Sequence, residues 1–325
     1  MTASVETAVR GQAKKGPVLT WVEYLPIRAL QLALRVIPRR AALGVGRLAG
    51  HLAWAIDARH RRIAIENLRA SLPEAAPRGV AERIARRCFS HFGAVAADCL
   101  LLRYRRVRDV DRLAEWEGVE HLKRAHLMGK GVFVVSAHMG NWEMVALLQG
   151  WVGLPMAMVT RPLDNPRLET MLANGRRASG NEIVHKRRAV RGILKALADG
   201  WCIALLIDQD FVESDRVFVP FFGREASAAP TLGLLAMRTG APIVPVVSEL
   251  LPDGRYVIRY LPPIEPRSTG DREADVLGIM ERCTALLESE IRRRPDQWLW
   301  MHRRWKTRPR QGEATATGGA TAGGS

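Results

Sequence analysis

The sequence predicts an α/β fold, with a mixed, largely parallel central sheet flanked by helices and an N-terminal helical region that associates with membranes. Two observations carry the sheet. Short apolar runs recur at 131–137, 154–159, 202–207 and 242–248, and helix-like segments at 143–149, 167–178, 188–199 and 229–239 separate them. Alternation of this kind argues for parallel strands joined through helices. Composition agrees, because 325 residues with 47% hydrophobic and 25% charged content can bury a substantial core.

Taken in order, residues 1–16 form a polar segment carrying Lys14 and Lys15. Residues 17–40 are apolar but too interrupted to span a bilayer, which takes about 20 nearly uncharged residues. Glu23, Arg28 and Arg35 break up the run, and Pro26 is expected to break the helix. The flanks lack the small-residue cleavage site of a secretory signal. What remains is Ile27, Leu30, Leu34 and Ile37 at helical spacing. This stripe fits a helix packed on a core. With Lys14, Lys15, Arg39 and Arg40 flanking it, and Trp21 and Tyr24 beside it, it fits a membrane-associating interfacial helix equally well. A single N-terminal anchor is a third possibility.

Residues 41–310 are assigned to one α/β domain. Its first parts, 41–57 and 76–101, read as helices rich in Ala and Leu. The segment "GVGRLAG" (44–50) has the wrong glycine spacing for a dinucleotide loop and follows no strand, so its glycines signal close helix packing. Further on, 255–261 reads as a strand, 271–293 as a long helix, and Arg187 and Arg188 as a solvated helix face. The tail 311–325 has nothing apolar to bury and is expected to be disordered.

The formal net charge of +16 calls for a polyanionic partner. Nucleic acid is the poorest candidate, because no helix-turn-helix, finger or RNP pattern is present and the bases are spread over many helices. Cys88, Cys99, Cys202 and Cys283 form no CxxC pair and do not cluster with histidines, so neither a metal site nor a disulfide framework is expected.

Chemistry concentrates where apolar runs end. His138 follows the first, Arg161 the second and Asp208 the third, and in open α/β sheets ligands bind beyond the carboxyl ends of strands. In "SAHMGNWEM" (136–144), Gly140 permits a tight turn and Asn141 is a good N-cap for a helix ending near Gly150. Glu143 then falls in the first turn, where the helix dipole favours its ionised form. It could hold one imidazole nitrogen of His138 and leave the other to take a proton from a hydroxyl. The same residues also fit a bland account, in which Glu143 caps its helix and His138 is a satisfied loop histidine.

The HxxxxE box resembles the HxxxxD/E motif of glycerolipid acyltransferases, and "AHMGNWE" is similar to the form found in the lipid A late acyltransferases. Further segments resemble that family in its own order: "TRPLDNPRLETMLANGRR" (160–177), "GWCIALLIDQD" (200–210), "VPFFGREASAAPTLGLLAMRTGAPIVP" (219–245) and "RPDQWLWMHRRWKTRP" (294–309). With "RRIAIENLRASLPE" (61–74), the resemblance covers roughly residues 20–309. It implies transfer of a fatty acyl group from acyl carrier protein to a hydroxyl of an acylated lipid A precursor, with no cofactor and no Ser or Cys nucleophile. By the same resemblance, His138 is the general base and Glu143 orients it and stabilises its protonated form. Arg176 and Arg161 bind the acceptor or support the oxyanion, and Asp208, Asn141 and Gln209 complete the substrate-binding set. The implied partners are acyl carrier protein, the lipid A precursor and the anionic inner leaflet, which places the chain on the cytoplasmic face of the inner membrane. "WMHRRWKTR" (300–308) is expected to be interfacial or phosphate-binding, with Arg303, Arg304 and Lys306 meeting acidic groups. Relatives acting on phosphatidylinositol mannoside or glycerol-phosphate acceptors share the box and stand as the alternative.

Overall fold

The computed structural model describes residues 16–75, 77, 79–102, 110–185 and 189–309. The expectations for Lys14, Lys15, Arg187, Arg188 and the tail lie outside these residues.

The centre is a seven-stranded sheet built from β1 (Ala114–Glu117), β2 (Val132–Ser136), β3 (Met156–Thr160), β4 (Glu182–His185), β5 (Cys202–Leu206), β8 (Ile243–Leu250) and β9 (Tyr256–Tyr260). Its order is β1-β9-β8-β2-β5-β3-β4, and every neighbouring pair except β8–β9 is parallel. All five residues of β2 are buried, because strand neighbours on both sides and helices on both faces leave none in water. Val132 and Val134 face a core with α5 (Val119–Leu127) and α6 (Trp142–Trp151). Phe133 and Val135 face the opposite core, shared with α8 (Ala189–Ala198), α9 (Thr231–Thr239) and α10 (Arg272–Arg293). A separate hairpin, β6 (Val217–Phe221) with β7 (Arg224–Ala228), lies in the segment that carries the Phe-Phe-Gly motif. That hairpin, the edge strands β1 and β4, and helix α5 are additions to the elements read from sequence.

Among the described residues, four α-helices precede the sheet: α1 (Pro17–Arg35), α2 (Arg39–Ile56), α3 (Ala58–Ser71) and α4 (Val80–Leu102). The helices expected over 17–40 and 41–57 are both present, with the break between them moved back to Val36–Pro38. Pro26, expected to break α1, sits inside it. Its ring removes one backbone bond, but the carbonyl left over belongs to Val22 on the exposed side, where water can reach it. Leu34 and Ile37 pack against Ala42, Ala97 and Leu101, so that part of the stripe serves the core. Among the described residues no helix is long and apolar enough to cross a membrane.

Glycine brings α2 and α4 into backbone contact, as "GVGRLAG" suggested. A Cβ on Gly93 would stand 2.1 Å from the Gly46 carbonyl oxygen, and one on Gly50 would stand 2.2 Å from that of Phe89. Beside this crossing, Arg39 grips the fully buried Asp98 through Nε at 2.8 Å and Nη2 at 2.6 Å. Arg39 was expected to flank an interfacial helix. It serves instead as an internal tie, and the nearby carboxylate raises its pKa despite the opposing effect of burial. At its other end α1 is fastened to α7 (Pro166–Arg177). Asn165 caps α7 and donates to the Thr20 carbonyl at 2.9 Å, while Arg167 stacks 3.4 Å over the Trp21 ring.

Gly93→Ala is expected to destabilise the protein by about 1–3 kcal/mol, because backbone rather than a yielding side chain meets the new methyl. Denaturant unfolding against the parent checks this, and an unchanged midpoint refutes it.

Candidate active site

The register that pairs Ser136 with Leu206 aligns the ends of β2 and β5. His138 and Asp208 each lie two residues further along and meet there. The imidazole Nδ1 is 2.7 Å from Asp208 Oδ1, and the His138 backbone N–H donates to Oδ2 at 2.8 Å. Trp298 donates its indole N–H to the same Oδ2 at 2.7 Å. A carboxylate so placed accepts the Nδ1 proton, which leaves a lone pair on Nε2. Gln209 Nε2 lies 3.3 Å from that Nε2.

Electrostatics follow from this arrangement. Burial pulls the imidazole pKa down, but the charge and hydrogen bond of Asp208, with the charge of Glu143, outweigh it and hold the pKa above the ordinary 6.5. For Asp208 burial pushes upward, and the His138 and Trp298 contacts bring the net value below the ordinary 3.8. The pair therefore favours a charged imidazole over an anionic partner.

The loop that presents His138 is fixed from several sides. Gly140 has φ +58°, and a Cβ there would lie 1.8 Å from the Ser248 carbonyl oxygen, so no side chain fits. His91, held neutral by burial with a pKa near about 4, donates Nε2–H to the Gly140 carbonyl at 3.1 Å. The C-terminal segment runs antiparallel behind the loop. Gly140 donates to the Gln297 carbonyl at 2.9 Å and Leu299 to that of His138 at 3.1 Å. That segment is itself pinned by Asn67 of α3, whose amide reaches the carbonyls of Trp300 and His302 at 2.9 Å each, and by Cys88 of α4. The ring of Trp142 meets His138 edge-on at 4.7 Å.

Several sequence-based expectations change here. The carboxylate that holds the imidazole nitrogen Nδ1 is that of Asp208, not Glu143. Glu143 opens α6 as expected, but Arg176 from the last turn of α7 takes it with a two-pronged grip, Nη2 to Oε1 at 2.5 Å and Nε to Oε2 at 3.2 Å. A permanently charged, planar fork suits a carboxylate better than a single imidazole N–H. Arg176, expected to meet the acceptor or oxyanion, is itself buried against Glu143. Asn141, counted with the substrate-binding residues, is fully buried: it caps α6 and donates to the Tyr256 hydroxyl at 2.9 Å. Tyr256 in turn donates to Asp98, which links the loop to Arg39. Arg161 sits on the exposed loop after β3, with its ion pair to Asp164 at 3.5 Å. The structure thus unites two of the three strand-end residues, and the third stands beyond β5.

The C-terminal tryptophans also differ from expectation. Trp298, Trp300 and Trp305 are buried in an aromatic cluster with Phe221 and Phe222, rather than lying at an interface. Arg304 is 1% exposed, donates to the Ser227 carbonyl and lies over the Phe221 ring, so it is an internal residue. Only Arg303 and Lys306 of that basic trio face solvent.

Comparison with known proteins gives these positions a context. The profile of the family described as bacterial lipid A biosynthesis acyltransferase matches residues 16–307. The Escherichia coli lipid A biosynthesis lauroyltransferase is 30% identical over 295 residues, covering 89% of this chain and 92% of that protein. The lipid A biosynthesis palmitoleoyltransferase of the same organism is 33% identical over 204 residues, 61% of this chain and 64% of that protein. Its myristoyltransferase is 26% identical over 269 residues, 81% and 79% of the two chains. The crystal structure of the 1-acyl-sn-glycerophosphate acyltransferase of Thermotoga maritima aligns with 80% of this chain and 99% of that one, at TM-score 0.37 and 14% identity. A family match over nearly the whole described chain, with the His138 box at the end of β2, leads to one conclusion: the chain is an acyltransferase of the bacterial lipid A biosynthesis acyltransferase family.

Proposed function

We propose that this enzyme moves a fatty acyl chain from acyl carrier protein to a hydroxyl of an acylated lipid A precursor at the cytoplasmic face of the inner membrane. The observation that carries the mechanism is His138, held at Nδ1 by a buried carboxylate and left with its Nε2 lone pair. Nε2 takes the acceptor hydroxyl proton as the oxygen attacks the thioester carbonyl. The tetrahedral intermediate then collapses, the new ester remains, the carbon–sulfur bond breaks, and the departing sulfur receives the proton from the imidazolium. Asp208 is the orienting partner in this scheme, and Trp298 holds Asp208. Glu143, steadied by Arg176, adds negative charge that favours the imidazolium and with it the transition state. Gln209 stands beside the reacting nitrogen, and the exposed Arg161 is placed to meet acidic groups of an acceptor. The relatives' names support a lipid A acceptor, and the surplus positive charge favours acidic partners such as a phosphorylated lipid and an acidic carrier protein.

The purified enzyme is expected to add one acyl mass increment to a tetra- or penta-acylated lipid A precursor when given acyl carrier protein thioesters. Mass spectrometry reads the product; transfer to a glycerol-phosphate or mannoside acceptor alone would overturn the substrate assignment and leave the chemistry standing.

His138→Ala is expected to lower kcat by ~10²–10⁴-fold, the usual cost of losing a general base. Glu143→Ala should also be severe and Glu143→Asp partly active, since the second keeps the charge. Full activity in a folded His138→Ala variant would exclude the scheme.

The pH profile tests the pairing with Asp208. The base works when neutral, so kcat/KM should rise with pH through the imidazole pKa, which the anionic neighbours set above 6.5. Asp208→Asn removes the stronger of those charges, so the acid limb should move to lower pH while the plateau falls. A limb that stays in place would separate Asp208 from the reacting histidine.

A further inference from the structure

As an acceptor oxygen adds to a thioester carbon, the carbonyl π pair moves onto oxygen, and the resulting oxyanion requires a hydrogen-bond donor. The arginines expected to support it are engaged elsewhere, Arg176 with Glu143 and Arg161 with Asp164 on an exposed loop. A second imidazole, however, stands at the same strand ends. His302 is tied to His138 through two successive backbone bonds: Leu299 donates to the His138 carbonyl at 3.1 Å, and His302 donates to the Leu299 carbonyl at 3.2 Å. Gln209 serves both rings. Its side-chain amide stands 3.3 Å from His138 Nε2, and the next peptide, the Asp210 N–H, donates to His302 Nε2 at 3.0 Å. Asp210 is itself fixed, because its carboxylate accepts from the Ser227 hydroxyl and from both the backbone and the hydroxyl of Thr307. The His302 carbonyl accepts from Asn67 at 2.9 Å, which holds the ring's own backbone.

A ring nitrogen that accepts a hydrogen bond carries no proton of its own, so the hydrogen of neutral His302 sits on Nδ1. Burial holds the His302 pKa below the ordinary 6.5, against the pull of Asp208 and with the support of Arg304. Among the described residues Nδ1–H has no acceptor, and the ring is only partly buried, so this donor is open to a bound molecule. A neutral imidazole so held can polarise a carbonyl. We propose that His302 is a second catalytic residue, which donates its Nδ1–H to the thioester carbonyl oxygen as that oxygen becomes an oxyanion. The proposal rests on the acyl-transfer reading. His302 keeps its proton throughout: when the intermediate collapses, the electron pair returns to the carbonyl, the carbon–sulfur bond breaks, and the sulfur takes its proton from His138.

Two substitutions in the full chain separate this role from a structural one. His302→Gln sets an amide oxygen near the Nε2 position, where it still accepts from Asp210, and leaves no donor at the Nδ1 position. His302→Asn does the reverse, with an amide donor near Nδ1 and nothing for Asp210. In steady-state transfer from acyl carrier protein thioester to the lipid A precursor, His302→Gln is expected to lower kcat by about 10²–10³-fold, the usual cost of one oxyanion donor. Its KM and its thermal unfolding should stay near the parent's, because the interaction exists only in the transition state. His302→Asn should recover part of the lost kcat, even where it unfolds at a lower temperature than the glutamine variant. The reverse ranking, glutamine active and asparagine inactive, would assign His302 to holding the turn at Asp210 and overturn the proposal. A raised KM with kcat intact would overturn it too, since that marks binding of the ground state. If the parent transfers no acyl group, the acyl-transfer reading falls and this proposal with it. An active parent with a fully active His302→Gln variant counts against His302 alone.

Discussion

A buried carboxylate organises this molecule. Asp208 is 5% exposed, and an ion so placed costs several kcal/mol unless donors surround it. Its three donors come from two distant stretches of chain, the backbone and ring of His138 after β2 and the indole of Trp298 near the C-terminus. Satisfying that one charge obliges β2 and β5 to end in register and obliges the C-terminal segment to run behind the loop. The helices in front of the sheet then have to hold that segment, which Asn67 and Cys88 do.

The alternation of apolar runs and helices was legible because strands buried on both faces cannot hide their composition. Strands at the margin could hide it. β4 at one edge exposes Glu182 and His185, and β1 at the other has one fully buried residue in four. The N-cap at Asn141 and the glycine crossing of α2 and α4 were also legible, since each depends on one residue type in a local setting. The partner of His138 was not. A carboxylate five positions away in sequence competes with one 70 positions away, and sequence spacing favours the first. Strand register decides for the second, and only pairing Ser136 with Leu206 reveals it. Reading three strand ends together came closer: β2 and β5 are neighbours and bring His138 to Asp208, while Arg161 follows β3, on the far side of β5.

Composition also misleads about where charge acts. A surplus of sixteen positive charges suggests that every arginine is available to an anion. Arg39 is spent on Asp98, Arg176 on Glu143, and Arg304 on a carbonyl and a ring. Each sits where a buried cation must have a partner, and each fixes the relation between two elements of the fold. The tryptophans follow the same rule. Interleaved with bases they resemble an interfacial segment, but the alternation in Trp298–Trp305 sorts aromatic rings inward and Arg303 and Lys306 outward.

The crossing of α2 and α4 has a mechanical consequence. With glycine on both sides, the two helices touch main chain to main chain at Gly46, Gly50 and Gly93, beside side chains such as Ala42 and Ala97. α4 carries His91, which holds the turn at Gly140, and Asp98, which reaches Asn141 through Tyr256. α2 is therefore joined to the reactive loop, through α4, by a short run of direct contacts. The position of that loop relative to α2 is set in part by three residues with no side chains at all.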